Sequence, residues 1–399
     1  AGKLLLTGDN SLSGAGVTGV AIDAADLLTI TSADGEGTLA IDGANVVTAL
    51  NMAGGLNVQT CDVTATAPAG AAMILYDHEL TINNALMKLT GEKSGAILSM
   101  RDLLGDAYMS APEGAYKDSS TGHVMIDVDE KPQLVLTTLT IESDYVFRVG
   151  ETGITRSNYR DVKDDVVKAG KVSYEPATKT LTLDNATLQG PEYGACISAY
   201  SWDGIPATVM LEGDNTIKDA GMAIGSSKLV VTSADGNGKL TITAGNGFEA
   251  ETVTVKDCSV EMTVEDSGIM AYSSGTVTVD NGNLSITCTD KESGMAMRAG
   301  KLQLEGGSTL VSPKGAAINT ESDALELDGK IVADLVISSV APGDANGDGT
   351  VDIVDVTITI SYILGQNPTG FNKEAANVNG DEEVNIVDVT SIIDMILKK

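Results

Sequence analysis

"TITSADGEGTLAI", Thr29 to Ile41, returns as "VVTSADGNGKLTI", Val230 to Ile242. In both stretches an apolar and threonine-rich run stops at Ser-Ala-Asp-Gly and resumes in alternation, the pattern of two short strands around a turn. The flanks recur in the same order: "LLLTGDNSL" with "VMLEGDNTI", "LNVQTCDVTAT" with "VTVKDCSVEMT", "ELTINN" with "TVTVDN", and "SAPEGA" with "VSPKGA". The offset is 235 − 34 = 201 at the Asp of the turn and 258 − 61 = 197 at the cysteine, so the chain contains a duplication with few insertions.

Outward from these turns, each copy is a succession of three- to six-residue runs of Val, Ile, Leu and Thr closed by Gly, Asn, Asp or Ser, with almost no helical periodicity. Such strands suit a β-sandwich or a parallel β-solenoid. Aromatic residues make up only 4% of the chain against 42% hydrophobic residues. A core of aliphatics, a long run of like units, and Asn and Thr recurring beside the turns favour the solenoid, whose cramped interior stacks like on like. The expected fold is all-β, a right-handed parallel β-helix in two tandem copies, followed by a small α-helical domain. Copy one spans residues 1–140 and copy two 141–340. The first begins at "KLLLTGDN", whereas the second is preceded by "GKVSYEPATKTLTLDNATLQG", which suggests that the first repeat unit is cut short. From about residue 341 the periodicity becomes helical, in "VDVTITISYILG" and "VDVTSIIDMILKK", and the third domain spans 341–399.

Composition narrows the function. A formal charge of −31 repels nucleic acid and anionic membrane surfaces and invites divalent cations. No apolar run approaches the roughly 20 residues that span a bilayer, and "AGKLLLTGDN" does not read as a signal peptide. Cys61, Cys196, Cys258 and Cys288 show no CxxC or zinc spacing and read as buried thiols, with one disulfide as the alternative.

The third domain holds the strongest motif. In "GDANGDGTVDIVD", Gly343 to Asp355, Asp344 at position one puts Asn346 at three, Asp348 at five, Gly349 at six, Asp352 at nine and Asp355 at twelve. Oxygen ligands so spaced wrap a calcium ion, Thr350 giving its carbonyl at position seven and glycine allowing the sharp turn. "ANVNGDEEVNIVD", Ala376 to Asp388, repeats the design 377 − 344 = 33 residues later. An Asp at position twelve, the 33-residue spacing and a helix after each loop resemble type I dockerins, the duplicated calcium-dependent modules that plug secreted proteins into cohesins; the resemblance covers residues 343–399. It implies one site at Asp344, Asn346, Asp348, Thr350, Asp352 (through water) and Asp355. The other would use Asn377, Asn379, Asp381, Glu383 (by its carbonyl), Asn385 and Asp388. Loss of charge at Asn377 and Asn385, and Glu382 in place of the turn glycine, make the second site the weaker. Positions ten and eleven, which help choose a cohesin and are often hydroxylic, are here Ile353 and Val354, then Ile386 and Val387. These apolar pairs face either a cohesin of another kind or the chain's own solenoid.

Residues 1–340 are similar to a family of carbohydrate-binding parallel β-helices in secreted proteins of anaerobic bacteria, through "GKVSYEPATKTLTLDNATL", "ATVMLEGDNTI" and "LVVTSADGNGKLTI". The resemblance implies an extracellular or surface-attached, noncatalytic protein that binds polysaccharide, with further calcium in the solenoid an open prospect. Sugar-stacking candidates are Tyr193, Tyr200 and Trp202 in "PEYGACISAYSWDG". Their plain alternative is a covered loop at the solenoid edge. Asp34 and Asp235 in the matched turns could hold calcium, but Asp-Gly is an ordinary turn choice.

Catalytic sets are sparse. His78 and His123, the only histidines, lack a nucleophile signature, and no GxSxG occurs. "GAGVTG", Gly14 to Gly19, leads into a strand rather than a helix and cannot cradle a pyrophosphate. A β-helix lyase or hydrolase would draw on Arg101, Arg298, or the pair Asp164 and Asp165, none of them in a polygalacturonase-like motif. Besides glycan binding, the remaining reading is a structural or adhesive arm with the solenoid as spacer.

Overall fold

A computed structural model describes the chain apart from residues 14–17, 34, 201–204, 273–274, 340–341, 348–349, 380, 382 and 399, and the side chains of Thr18, Val146 and Glu374. The chain is a β-solenoid followed by helices. It divides into two compact units, residues 1–146 with 153–159, and residues 147–152 with 160–399.

In the second unit three parallel faces run along the coils. On face one the strands Thr180–Gln189, Ala207–Glu212, Lys228–Thr232, Thr252–Lys256, Thr276–Asp280 and Lys301–Glu305 stack in register. Alternation sends Thr252 and Thr254 outward and Val253 and Val255 inward. The inward residues therefore form a column, Leu181, Val209, Val231, Val255 and Val279, one residue per coil, with Leu304 in register at its exposed end. Face two repeats this with Ile217, Ile242, Met262 and Ile286. Face three does so with Ile197, Ile224, Phe248, Ile269 and Met297. One coil takes 277 − 253 = 24 residues between Val253 and Val277. Apart from Phe248, aliphatic and methionine side chains fill these columns, which is why so few aromatic residues suffice.

The first unit has the same three faces. Leu4, Ile30, Val58 and Ile82 form one column, Leu39, Val63 and Met87 a second, and Ile22, Leu50, Met73 and Ile97 a third. Corners between faces one and two are turned by left-handed residues, Thr60 and Asn84 here, and Asn185, Asp257 and Asn281 in the second unit. Asn and Asp tolerate that conformation, and in the second unit they also bond between coils, Asn281 Nδ2 donating to Asp257 Oδ1 at 2.8 Å.

The two stretches that opened the reading make the same local bonds. Gly37 N donates to Ser32 Oγ at 2.9 Å and Gly238 N to Ser233 Oγ at 3.0 Å. The Cys61 thiol donates to Ile30 O at 3.6 Å and the Cys258 thiol to Val231 O at 3.5 Å. All four cysteines are free and buried, and burial pushes Cys196 and Cys258 up to about 12 and Cys61 and Cys288 up to about 11.

Parallel strands leave open edges, and each unit blunts its last one with antiparallel pairing. In the first unit residues 139–143 lie antiparallel to Leu86–Gly91 and Ala107–Ala111, beside a small sheet of Tyr116–Lys117, Val124–Val128 and Lys131–Leu134. In the second, Asp334–Ser339 lies antiparallel to Asn283–Cys288 and Ser308–Ser312, beside Ala317–Ile318, Leu325–Leu327 and Lys330–Ile331. The opening edge of the second unit is covered by Val167–Glu175, antiparallel to Thr180–Gln189. This hairpin contains the segment "GKVSYEPATKTLTLDNATLQG". In the first unit the corner ladder is clamped by buried Arg156, which donates to Asp62 Oδ1 at 3.0 Å, Asn84 Oδ1 at 3.3 Å and Gly35 O at 2.6 Å and lies 5.1 Å from the Tyr159 ring centroid.

Candidate functional site

The helical C-terminal region contains α1 (Ile353–Ile363), α2 (Lys373–Ala376) and α3 (Ile386–Leu397). Each acidic loop runs straight into the first turn of α1 or α3. Asp352 caps α1 and Asn385 caps α3, their side chains accepting from Val354 N at 2.7 Å and Val387 N at 2.9 Å.

The twelfth position of each loop is the third residue of its helix and does two tasks at once. Asp355 accepts from Asp352 N at 2.8 Å, completing a capping box, and from Asn346 N at 2.9 Å, folding the loop back on the helix. Asp388 repeats this with Asn385 N at 2.9 Å and Asn379 N at 3.2 Å. The spacings 388 − 355, 385 − 352 and 379 − 346 all equal 33, so the bond pattern follows the sequence repeat. These capping boxes could have been read from "DIVD" and "NIVD", Asp or Asn followed three residues on by Asp before an apolar run.

Asp355 and Asp388 are completely buried, and among the described residues no Lys or Arg side chain pairs with either. A buried carboxylate held only by two N–H groups is costly unless a cation completes it. Asp344 is also buried, its Oδ1 accepting from Gly347 N at 2.8 Å. In the second loop Asn377 Oδ1 is buried with no hydrogen-bond partner among the described residues, while its amide donates to Asp381 O. An orphaned oxygen at position one suits a metal ligand, so these residues fit a hard cation. Asn379 and Asp381 bond each other, at 2.7 and 2.9 Å, and Asp381 Oδ1 accepts from Glu383 N at 2.8 Å. Thr350 and Asp352 belong to the described part of the first loop; Asp348 and Gly349, and Glu382 of the second, lie outside it. Among the described residues no three His, Cys, Asp or Glu side chains converge as a metal centre, since the loops mix carboxylates with amide and main-chain oxygens.

The apolar pairs open each helix on the surface: Ile353 and Val354 are 65% and 50% exposed, Ile386 and Val387 64% and 52%. The interior of this region is small, Val356, Val389 and Ile392 with Val351, Val378 and Ile396 around them. Tyr362 and Phe371 stack with centroids 4.3 Å apart.

On the solenoid, Tyr193 is 83% and Tyr200 56% exposed, and Trp202 lies outside the described residues. Asp235 accepts from Ser233 Oγ at 2.8 Å and Asn237 N at 2.9 Å, so its carboxylate closes its own turn and is held below the usual range chiefly by the Asn237 N–H. Asp34 and residues 14–17 of "GAGVTG" lie outside the described residues. Asp164 accepts from Thr152 and Val166, a structural use.

Residues 342–397 match the dockerin type I domain, and a domain of that family therefore closes the chain. Dockerin type I domains bind calcium and attach to cohesins. No curated protein and no solved structure matches the chain.

Proposed function

We propose that this chain, which carries a dockerin type I domain at residues 342–397, is a secreted, noncatalytic protein whose β-solenoid binds carbohydrate while the dockerin tethers it to a cohesin. Asp344, Asn346, Asp348, Asp352, Asp355 and the Thr350 carbonyl hold one calcium ion; Asn377, Asn379, Asp381, Asn385, Asp388 and the Glu383 carbonyl hold the other. Bound calcium supplies the positive charge that the buried carboxylates lack. The first site is the tighter because Asn replaces Asp at positions one and nine of the second. The observation that carries this reading is the matched pair of buried, cation-less carboxylates, Asp355 and Asp388, each closing a loop onto its helix.

The docking face follows from the same symmetry. Ile353, Val354, Ile386 and Val387 are exposed at equivalent places and offer no hydroxyl. The cohesin that receives them is accordingly apolar at the contact, since a polar pocket facing these residues would be left unpaired. Intramolecular docking is disfavoured by that exposure. Among the described residues no helix is long and apolar enough to cross a membrane, and attachment through a cohesin would retain the chain at a surface.

Calorimetric titration of the metal-free protein with calcium tests the core of this reading. Two events of unequal affinity are expected, and Ile353→Asp with Val354→Asp should abolish cohesin capture while leaving both events intact. Two equal affinities would remove the ranking, and no calcium uptake would sink the tether. The competing view of the solenoid as a spacer draws on its outward column of Thr180, Thr208, Val230, Thr254 and Thr278, which has no repeated ring.

A further inference from the structure

The first unit contains a polar groove of about 690 Å³ beside its terminal cap, lined by Tyr76, Asp77, Arg101, Asp102 and Lys117 and by the 119–122 turn. The groove arises because the strand Gly95–Gly105 departs from register twice, between Leu98 and Met100 and between Met100 and Leu103. Its freed groups bond to the cap instead: Met100 N donates to Gly122 O at 2.8 Å and Ser99 N to His123 Nδ1 at 3.1 Å. Three lining residues, Tyr76, Asp77 and Ser99, have φ of 49°, 64° and 54°. Left-handed residues turn corners throughout the solenoid, but such backbone at a tyrosine is uncommon, so Tyr76 is held where it is by its surroundings. The rim is equally fixed. Asp118 accepts from the hydroxyls and N–H groups of Ser120 and Thr121, which hold its carboxyl down to about 2.

The charges select the ligand class. Arg101 is bonded to Glu79 at 2.6 Å, and Lys117 lies 3.3 Å from Asp102 and also donates to Arg101 O. Each cation is thus matched, and Asp77 adds a further carboxylate in a chain of net charge −31. An anion would meet no spare positive charge, and an apolar ligand would strand the polar groups of the two ion pairs. A neutral molecule with many hydroxyls and one apolar face meets neither objection. Tyr76, 51% exposed, offers the ring for that face.

We infer that this groove binds a neutral saccharide, Tyr76 covering the C–H face of one sugar while the Arg101–Glu79 and Lys117–Asp102 pairs exchange hydrogen bonds with its hydroxyls. The inference rests on the carbohydrate-binding reading above and narrows it to one place and one class of glycan. The second unit has a matching exposed ring, Tyr272, but where Asp102 and Lys117 stand in the first unit it has residues such as Ala299 and Ile318.

Affinity electrophoresis of the full chain in calcium, through gels containing β-glucan, xylan, galactomannan or polygalacturonate, tests this. Retardation by at least one neutral polymer and none by polygalacturonate is expected. Tyr76→Gly, which removes the ring and relaxes the left-handed backbone, should weaken binding at least tenfold, whereas Tyr272→Ala should leave it unchanged. Neutral-glycan binding that survives Tyr76→Gly with Arg101→Ala would overturn the groove and leave the broader reading standing. Retardation by polygalacturonate alone would overturn the choice of a neutral ligand. A wild-type chain retarded by no polymer would overturn groove and broader reading together for these glycans.

Discussion

The solenoid and the dockerin are stable for opposite reasons. In the solenoid every coil adds an apolar residue to each inner column, as in Ile197, Ile224, Phe248, Ile269 and Met297. In the dockerin the buried apolar set is small, Val356, Val389 and Ile392 with Ala345, Ala375 and Ala376, and three carboxylates, Asp344, Asp355 and Asp388, are buried beside it. A domain of this size is marginal on its core alone. On this contrast the solenoid is expected to hold its fold without metal and the dockerin to need it.

The hardest test of this contrast is chelation. Removing calcium should abolish the helical signal of α1 and α3, because metal affinity and folding are coupled when the site's charges repel one another. The β signal should persist, and Cys61, Cys196, Cys258 and Cys288, all buried in the solenoid, should stay closed to iodoacetamide until denaturant is added. Thiols that label on chelation alone, or helices that survive it, would erase the distinction.

Next in size is a cavity in a column. Ile224→Ala opens space between Ile197 and Phe248 and should cost about 2–5 kcal/mol of solenoid stability, measured by denaturant unfolding at saturating calcium. The calcium titration should not move. If it does, metal binding and solenoid packing are one cooperative system rather than two.

Within the dockerin, Asp355→Ala and Asp388→Ala set the two loops against each other. Each removes a buried carboxylate that also anchors two N–H groups. The loss should exceed about 100-fold in calcium affinity at its own loop, beyond the range found for outer-shell partners, and Asp355→Ala should remove the tighter event.

Much of this was legible in the chain itself. The repeated Ser-Ala-Asp-Gly turn implied matching bonds, and Ser32 and Ser233 make them; the spacing of Asp344 to Asp355 named a loop whose ends meet through Asn346 N. Short apolar runs also pointed to stacked coils, but alternation alone does not say which of three faces a run joins. Contacts between distant segments were not legible. Nothing in the sequence around Arg156 points to its partners, and only coil stacking brings Gly35, Asp62 and Asn84 under it. The groove draws on positions 76, 101 and 117 for the same reason, and no local pattern joins them.

The smallest effect probes where the dockerin's own repeat breaks. Thr359 and Ile392 are equivalent, 392 − 359 = 33, and both are fully buried, yet Thr359 Oγ1 has no hydrogen-bond partner among the described residues. Thr357 and Ser361, one turn-face away on α1, bond the carbonyls four residues back, so the helix can satisfy a hydroxyl, and Thr359 is turned inward instead. An unsatisfied buried hydroxyl costs about 1–3 kcal/mol, part of which its methyl recovers by packing. Thr359→Val, the same shape without the oxygen, should therefore raise the thermal midpoint of the calcium-loaded dockerin by the equivalent of about 1 kcal/mol. The gain should vanish on chelation, when the core that buries the residue is gone. A loss of stability in the calcium form would mean that the hydroxyl has a partner in solution, an internal water being the obvious one, and that the two halves are balanced by different chemistry at the same position.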